Sequence, residues 1–173
     1  MKRYINKQKY SECQVVAAIN ASVFLGKHYI DSDSSMYECL VDMSSARYGA
    51  AISMKAVYEL LGIVPHVYSG KKTFSWIKKK VDEKFPIELV VWHRHTGFHS
   101  VLVIGAHTGM KSGYGFDKEV RVLNFRQFTG TNTWTLWKPF KACIPPRRVL
   151  NNLLTHRNVG GACRYFSAVG STG

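Results

Sequence analysis

Acidic residues are scarce in this sequence, whereas basic residues are common. The 173 residues include 11 Asp and Glu against 24 Lys and Arg, which gives a formal net charge of +13 and a pI near 9.7. A field of this sign favours anionic partners such as nucleic acid, an acidic surface or an acidic polymer. The alternative is a solvated basic face that serves solubility alone, and composition does not separate the two.

Cysteine is also sparse, and its spacing excludes the commonest metal motif. The sequence has no CxxC pair, which argues against a zinc site, and we expect neither a metal nor a cofactor. Because no export signal is visible, reduced thiols are the expected state. The four cysteines are Cys13, Cys39, Cys143 and Cys163.

Long apolar runs are missing as well. No apolar segment of signal-peptide type follows the basic start MKRYINKQKY. The most apolar stretch, VVAAINASVFLG, is interrupted by polar residues and is too short to span a bilayer. The sequence therefore predicts no transmembrane segment, no membrane partner and a cytoplasmic or virion-associated location.

A complete helix-start signal precedes that apolar stretch. Ser11 is a good N-cap, and Gln14 completes an S-x-x-Q capping box with it. Tyr10 and Val15 occupy the two positions of a hydrophobic staple. The residues that follow are apolar nearly all round, which predicts a buried helix with Cys13 in its first turn.

The remaining pattern predicts helices first and strands second. Residues 27–50 look irregular, Ser53 caps a helix that stops at Gly62, and Thr73 caps another that Pro86 ends. This order describes an α+β domain with an antiparallel sheet. The predicted strands are residues 87–93, 98–106, 120–125 and 133–137.

The chain is one domain long, with enough apolar residues to bury a core. We assign residues 1–144 to this domain. Residues 145–173 are predicted to form a basic C-terminal extension with one short helix and an extended tail.

Three residues that are far apart in the sequence form a candidate catalytic set. A helix N-terminus lowers the pKa of a thiol through its dipole and free N–H groups, and Cys13 is placed for that effect. A thiol nucleophile also needs a base, and the base needs an orienting partner. If residues 98–106 and 117–125 pair as a hairpin, His99 lies opposite Asn124 on one face. The Asn124 side-chain carbonyl can then accept the imidazole N–H.

This arrangement resembles the papain-like cysteine peptidase superfamily, and within it the double-glycine (bacteriocin-processing) peptidases. A Cys at the head of a buried N-terminal helix is followed far downstream by GFHSVLVIG and then VRVLNF. The similarity covers roughly residues 5–140, by order of elements more than by identity. It implies a papain-like fold.

The resemblance also implies a role for each candidate residue. Cys13 would be the nucleophile, His99 the general base and acid, and Asn124 the orienting residue. Gln8 would donate to the oxyanion, although it lies closer to Cys13 than the corresponding Gln of the family commonly does. Gln14 stands where the family often has Gly after its Cys.

Three functions fit these observations. The first is a thiol peptidase that cleaves a peptide or protein substrate through a Cys-His-Asn triad. The second is a cell-wall amidase or endopeptidase, which shares the Cys and His order. The third is a non-catalytic, papain-like structural or nucleic-acid-binding protein, such as a viral or phage component. Its anionic contacts would be the basic arm MKRYINKQK and Arg147, Arg148, Arg157 and Arg164.

Overall fold

The computed structural model describes residues 2–95, 97–110, 116–125, 134–146 and 163–170. Five helices lie in these residues: α1 (Cys13–Phe24), α2 (Ser35–Ser44), α3 (Lys55–Leu61), α4 (Phe74–Asp82) and α5 (Trp137–Ala142). Six strands lie in them: β1 (Ile63–Val67), β2 (Ile87–His93), β3 (Gly97–Met110), β4 (Phe116–Leu123), β5 (Trp134–Leu136) and β6 (Cys163–Ala168).

The strands form one antiparallel sheet in the order β1-β6-β2-β3-β4-β5. Helices cover both faces of this sheet. The predicted combination of helices with an antiparallel sheet is therefore confirmed. The strands predicted at residues 87–93 and 98–106 correspond to β2 and to the first part of β3.

Strand β3 contributes to two separate buried clusters. Leu102 and Ile104 pack with α1, α2 and α3 on one face of the sheet. Val101 and Val103 pack with α4 and α5 on the other face. Successive side chains of a strand point to opposite faces. In this part of β3, even-numbered residues therefore face α1, α2 and α3, and odd-numbered residues face α4 and α5.

Helix α1 is buried on nearly every side, as predicted, but it begins differently. Its N-cap is Glu12, and no side chain caps it. The Glu12 carboxylate instead accepts the Tyr10 N–H at 2.7 Å. The predicted Ser11–Gln14 capping box is therefore wrong, because the Glu12 side chain takes over the turn that precedes the helix. Cys13 is the first helical residue.

The predicted stop at Gly62 and cap at Thr73 are confirmed, but the predicted cap at Ser53 is wrong, because the N-cap of α3 is Met54 and no side chain caps this helix. Gly62 ends α3 in the left-handed conformation, at φ 68°, which glycine adopts at little steric cost. The Thr73 hydroxyl accepts the Trp76 N–H at 3.1 Å and caps α4. Helix α4 ends at Asp82, before Pro86, because Lys84 already has a φ of 69°.

Within the first 70 residues, the structure contains one helix and one strand that the sequence did not predict. Residues 27–50 were expected to be irregular, yet they contain α2, whose N-cap Ser34 accepts the Tyr37 N–H at 3.2 Å. Strand β1 directly follows Gly62. It lies at the sheet edge and pairs with β6 alone.

The prediction of a separate C-terminal extension from residue 145 is wrong for residues 163–168. They form β6, which pairs with β1 on one side and β2 on the other. Cys163 and Phe166 are buried in the two opposite clusters. These residues belong to the main domain, because without β6 the strand β1 would have no partner. The short helix predicted within this segment lies outside the described residues.

Candidate active site

Cys13 lies at the start of α1 and faces β3. Burial raises the pKa of its thiol, and the nearby Glu88 carboxylate adds to this increase. The Ser100 N–H, the Gln14 N–H and the Ser100 hydroxyl act in the opposite direction by favouring the thiolate. The expectation that the helix N-terminus would lower this pKa is therefore wrong, because desolvation of the thiolate outweighs those donors.

His99 is buried, with a side chain only 9% exposed. Its Nε2 lies 2.6 Å from the backbone oxygen of Asn124. Because a carbonyl oxygen can only accept, Nε2 must carry the hydrogen, and Nδ1 of the neutral ring is then an acceptor. Burial lowers the pKa of His99, and the bond to Asn124 offsets part of that decrease. The resting imidazole is neutral and has the tautomer that a general base needs.

Asn124 binds His99 through its backbone and not through its side chain, which corrects the predicted role of its amide. Its φ of 61° lies in the left-handed region, just beyond the end of β4. The side-chain Nδ2 donates to Gln8 Oε1 at 3.0 Å, and the backbone N–H donates to Asn6 Oδ1 at 3.2 Å.

The predicted register of His99 opposite Asn124 is also wrong. In the structure Leu102 pairs with Leu123, and a β-bulge lies between Val103 and Gly105. The register already differs at the hairpin end, where Met110 pairs with Phe116, and the bulge moves the ladder by only one residue toward the predicted pairing. His99 therefore lies beyond the last pair of this ladder, and the turn at Asn124 brings the carbonyl to its ring.

Gln8 lies within this set, as the resemblance implied. Its Oε1 accepts from Asn124, and its Nε2 donates to the Tyr10 carbonyl at 2.9 Å. An amide NH₂ carries two hydrogens. The bond to Tyr10 therefore leaves the second hydrogen for another acceptor, which is the requirement for an oxyanion donor.

Three of the four predicted residues, Gln8, His99 and Asn124, are joined by hydrogen bonds, whereas Cys13 contacts Ser100 and not the imidazole. Cys13 contacts Ser100, His99 contacts Asn124, and Asn124 contacts Gln8. Of the hydrogen bonds between described residues, none joins the thiol to the imidazole. Strand alternation is the reason, since Ser100 points to the α1 face of β3 and His99 points to the other.

Sequence reasoning missed a buried polar chain that begins at Ser100. The Ser100 hydroxyl lies beside the Glu88 carboxylate and favours its charged form, and Arg164 Nε lies 3.2 Å from Glu88 Oε1. Arg164 Nη1 in turn donates to the Tyr58 hydroxyl at 2.5 Å. Burial raises the pKa of Glu88, and Arg164 opposes this increase. The available signal was Glu88 itself, a single carboxylate inside the apolar run IELVV.

An open cavity of about 490 Å³ lies beside this chain. Gln14, which follows the candidate nucleophile, lines it together with Tyr58 and Arg164. The remaining wall comes from α3, β1 and their flanking residues and is mainly apolar. The cavity therefore joins the start of α1 to the far end of the polar chain.

Of the predicted anionic contacts, Arg164 is wrong, whereas the contact through the basic N-terminal arm stays a prediction. Arg164 is only 5% exposed and is paired with Glu88, so it is unavailable to a polyanion. Lys9 Nζ lies 2.6 Å from Asp33 Oδ1, and an Arg3 guanidinium nitrogen lies 4.0 Å from an Asp31 carboxylate oxygen. Outside the described residues lie Arg147, Arg148 and Arg157.

No helix in the described residues has both the length and the apolar character needed to cross a bilayer. No group of three or more His, Cys, Asp or Glu side chains in the same residues is arranged to hold a metal ion.

Comparison with protein-family models, with curated proteins and with solved structures gives no significant match for this chain. The papain-like resemblance therefore depends on the order of its residues and elements.

Proposed function

We propose that the protein is a thiol hydrolase of papain-like type that cleaves peptide bonds, with Cys13 as nucleophile and His99 as general base. The observation that carries this proposal is the position of Asn124. It binds Gln8 through its side chain and His99 through its carbonyl. Next to His99, Ser100 contacts the thiol at the start of α1. One end of β3 thus gathers a nucleophile, a base and an amide donor from distant parts of the chain.

The pKa shifts favour a reaction that starts from a neutral thiol and a neutral imidazole. As Sγ of Cys13 attacks the substrate carbonyl carbon, its proton passes to Nδ1 of His99. The Asn124 carbonyl stabilises the imidazolium through Nε2–H. The Cys13 N–H and the Gln8 amide would bind the oxyanion. The imidazolium then protonates the leaving amine, and water hydrolyses the thioester with His99 again acting as base.

Proton transfer requires Nδ1 and the sulfur to come within hydrogen-bond distance. Because Ser100, which contacts the thiol, and His99 point to opposite faces of β3, this approach requires a change of backbone conformation and not only the tightening of a long hydrogen bond. His99 lies close to the beginning of β3, and Gly97, which begins that strand, has a φ of 67°. We therefore place the required movement at this strand end.

A non-catalytic protein is the second candidate, and the pKa shifts favour it. A thiol whose pKa is raised by burial is an ordinary buried cysteine. An imidazole on the opposite face of β3 would then be a packing residue held by Asn124. A cell-wall amidase would use the same Cys and His, so the substrate alone separates it from a peptidase.

Labelling with a peptidyl epoxide, followed by peptide mapping in a mass spectrometer, tests the proposal. We expect one label per chain, on Cys13, and none on the Cys13→Ala variant. The His99→Ala variant should react about 100-fold more slowly, the lower end of general base contributions. Cys39→Ala is the matched control, because Cys39 is the exposed thiol on α2, and its loss should change nothing.

The same labelling has an expected pH dependence. Because burial lowers the pKa of His99, its ring stays unprotonated somewhat below pH 6.5, its ordinary value. The rate should therefore persist below pH 6.5 and fall only at more acidic pH. Preferred labelling of Cys39, or a His99→Ala variant that reacts like the wild type, would favour the non-catalytic candidate.

A further inference from the structure

A second cavity, of about 330 Å³, lies between the loop that precedes α4 and the end of α5. Three lysines line it: Lys71 and Lys72 from the loop, and Lys141 from α5. Ile144 and Pro145 contribute apolar wall. None of the residues that line this cavity also lines the 490 Å³ cavity beside Gln14, and none belongs to the candidate active site.

The charge in this cavity is not compensated by the described part of the protein. No carboxylate lines the cavity, and none in the described residues pairs with Lys71, Lys72 or Lys141. Other lysines do have such partners, as when Lys78 Nζ lies 2.5 Å from an Asp82 carboxylate oxygen. Because three lysines and no carboxylate line this concave surface, a bound anion would meet net positive charge there.

The loop that carries two of these lysines is held in place by hydrogen bonds and ring packing. The Tyr68 hydroxyl donates to the Lys71 carbonyl at 3.1 Å, and the Thr73 N–H donates to it at 3.0 Å. The Tyr68 ring stacks on Trp76 with centroids 3.8 Å apart. A Cβ on Gly70 would lie 2.4 Å from the Tyr68 hydroxyl oxygen, so only glycine fits there. The lysine backbone is thus fixed before any ligand arrives.

We propose that this lysine cavity, defined by Lys71, Lys72 and Lys141, binds phosphate groups of a single-stranded nucleic acid. Lysine ammonium groups are compact point charges that suit phosphate oxygens. A single strand can bend its backbone into a concave cavity, and proteins that bind it follow the backbone with positive grooves. The net charge of +13 extends the attraction beyond the cavity, which benefits a polymer more than a free phosphate.

Fluorescence anisotropy with a labelled 12-mer oligothymidylate tests this proposal. The site variant is Lys71→Gln/Lys72→Gln/Lys141→Gln. The matched control is Lys7→Gln/Lys27→Gln/Lys55→Gln, which removes the same charge from exposed positions on the N-terminal arm and beside α1 and α3.

We expect the site variant to weaken binding about tenfold or more at low salt. It should also reduce the slope of log Kd against log salt concentration by about 2, since each contacted phosphate of a single strand contributes roughly 0.7. The control should change Kd by less than about threefold, because charges outside the binding site act only through the screened field. If the site variant does not fold, Lys141→Gln alone should lower the slope by about 0.7.

Three results would overturn the proposal. The first is equal weakening by both triple variants, which would assign binding to the overall charge. The second is an unchanged slope in the site variant. The third is a thermal shift with inorganic pyrophosphate and no binding of the oligonucleotide, which would make the occupant a small anion.

Discussion

The backbone conformation of Asn124 connects the local sequence to the chemistry of the site. A φ of 61° is uncommon for residues other than glycine, and asparagine is one of the few that tolerate it. This conformation turns the carbonyl toward Nε2 of His99 and the side chain toward Gln8. The tautomer of the imidazole therefore depends on a backbone angle more than on an amide group.

Substitutions of Asn124 separate these two contributions. Asn124→Gly keeps the left-handed conformation, so we expect His99 to retain hydrogen on Nε2. Asn124→Val should lose about 1–2 kcal/mol of stability, because a β-branched residue is strained there, and should release the ring. Long-range ¹H–¹⁵N NMR of the imidazole reports the tautomer. A valine variant with wild-type stability and an unchanged tautomer would show that the carbonyl does not hold the ring.

The strand elements are joined by the buried pair of Glu88 and Arg164. These residues are opposite each other on β2 and β6, and Arg164 also reaches Tyr58 on α3. The pair thus links the last strand of the chain to the middle of the sheet and to a helix. A buried ion pair contributes little net stability, but removing one partner leaves an uncompensated charge.

The difference between keeping the Glu88–Arg164 pair and removing one partner gives a prediction for β2 and β6. At pH 7, Arg164→Met should lower the free energy of unfolding by about 3–5 kcal/mol, measured by urea denaturation. The double variant Glu88→Gln/Arg164→Met should recover part of that loss, because no buried charge remains. The loss in Arg164→Met should shrink at acidic pH, since a protonated Glu88 needs no partner. A single variant within about 1 kcal/mol of the wild type would contradict this account.

Local signals in the sequence predicted the elements that begin or end at a capping residue or a glycine. The cap at Thr73, the stop at Gly62 and the bounds of β2 all follow from residues within one turn or one strand. Strands β1 and β6 could not be found in this way. Each is short, and β6 owes its place to pairing with partners roughly 100 and 80 residues away, which local pattern does not encode.

The sequence predicted which residues form the candidate site, but it did not predict which of their atoms contact each other. Cys13 at the head of a buried helix and His99 at the start of a strand follow from apolar patterning. The hairpin register, the β-bulge beside Gly105 and the left-handed turn at Asn124 decide which atoms meet. Glycine and asparagine are compatible with these conformations, but the residue types alone do not fix where they occur. Cys13 contacts Ser100 because the Ser100 side chain points to the α1 face of β3. Which side chains of the strand point to that face is set by packing of the whole sheet.

Considered as a whole, the molecule builds its two candidate sites from different residues, although His99 points to the same face of the sheet as the lysine cavity. The helix with Cys13 covers one face, and the helices beside the lysine cavity cover the other. On the basic N-terminal arm, Arg3 and Lys9 lie beside the carboxylates of Asp31 and Asp33. Loss of one activity should therefore leave the other intact.

The most direct test of the central claim, that Cys13 is an acylating nucleophile, is a stopped-flow burst experiment. The substrate is an N-blocked amino acid p-nitrophenyl ester, and intact-mass and peptide analysis locate the acyl group. We predict a burst of about one equivalent of p-nitrophenol with the acyl group on Cys13, the signature of a covalent intermediate. The burst should persist in Cys39→Ala and disappear in Cys13→Ala. A wild-type protein that shows no burst, or that carries the acyl group on another residue, would contradict the claim.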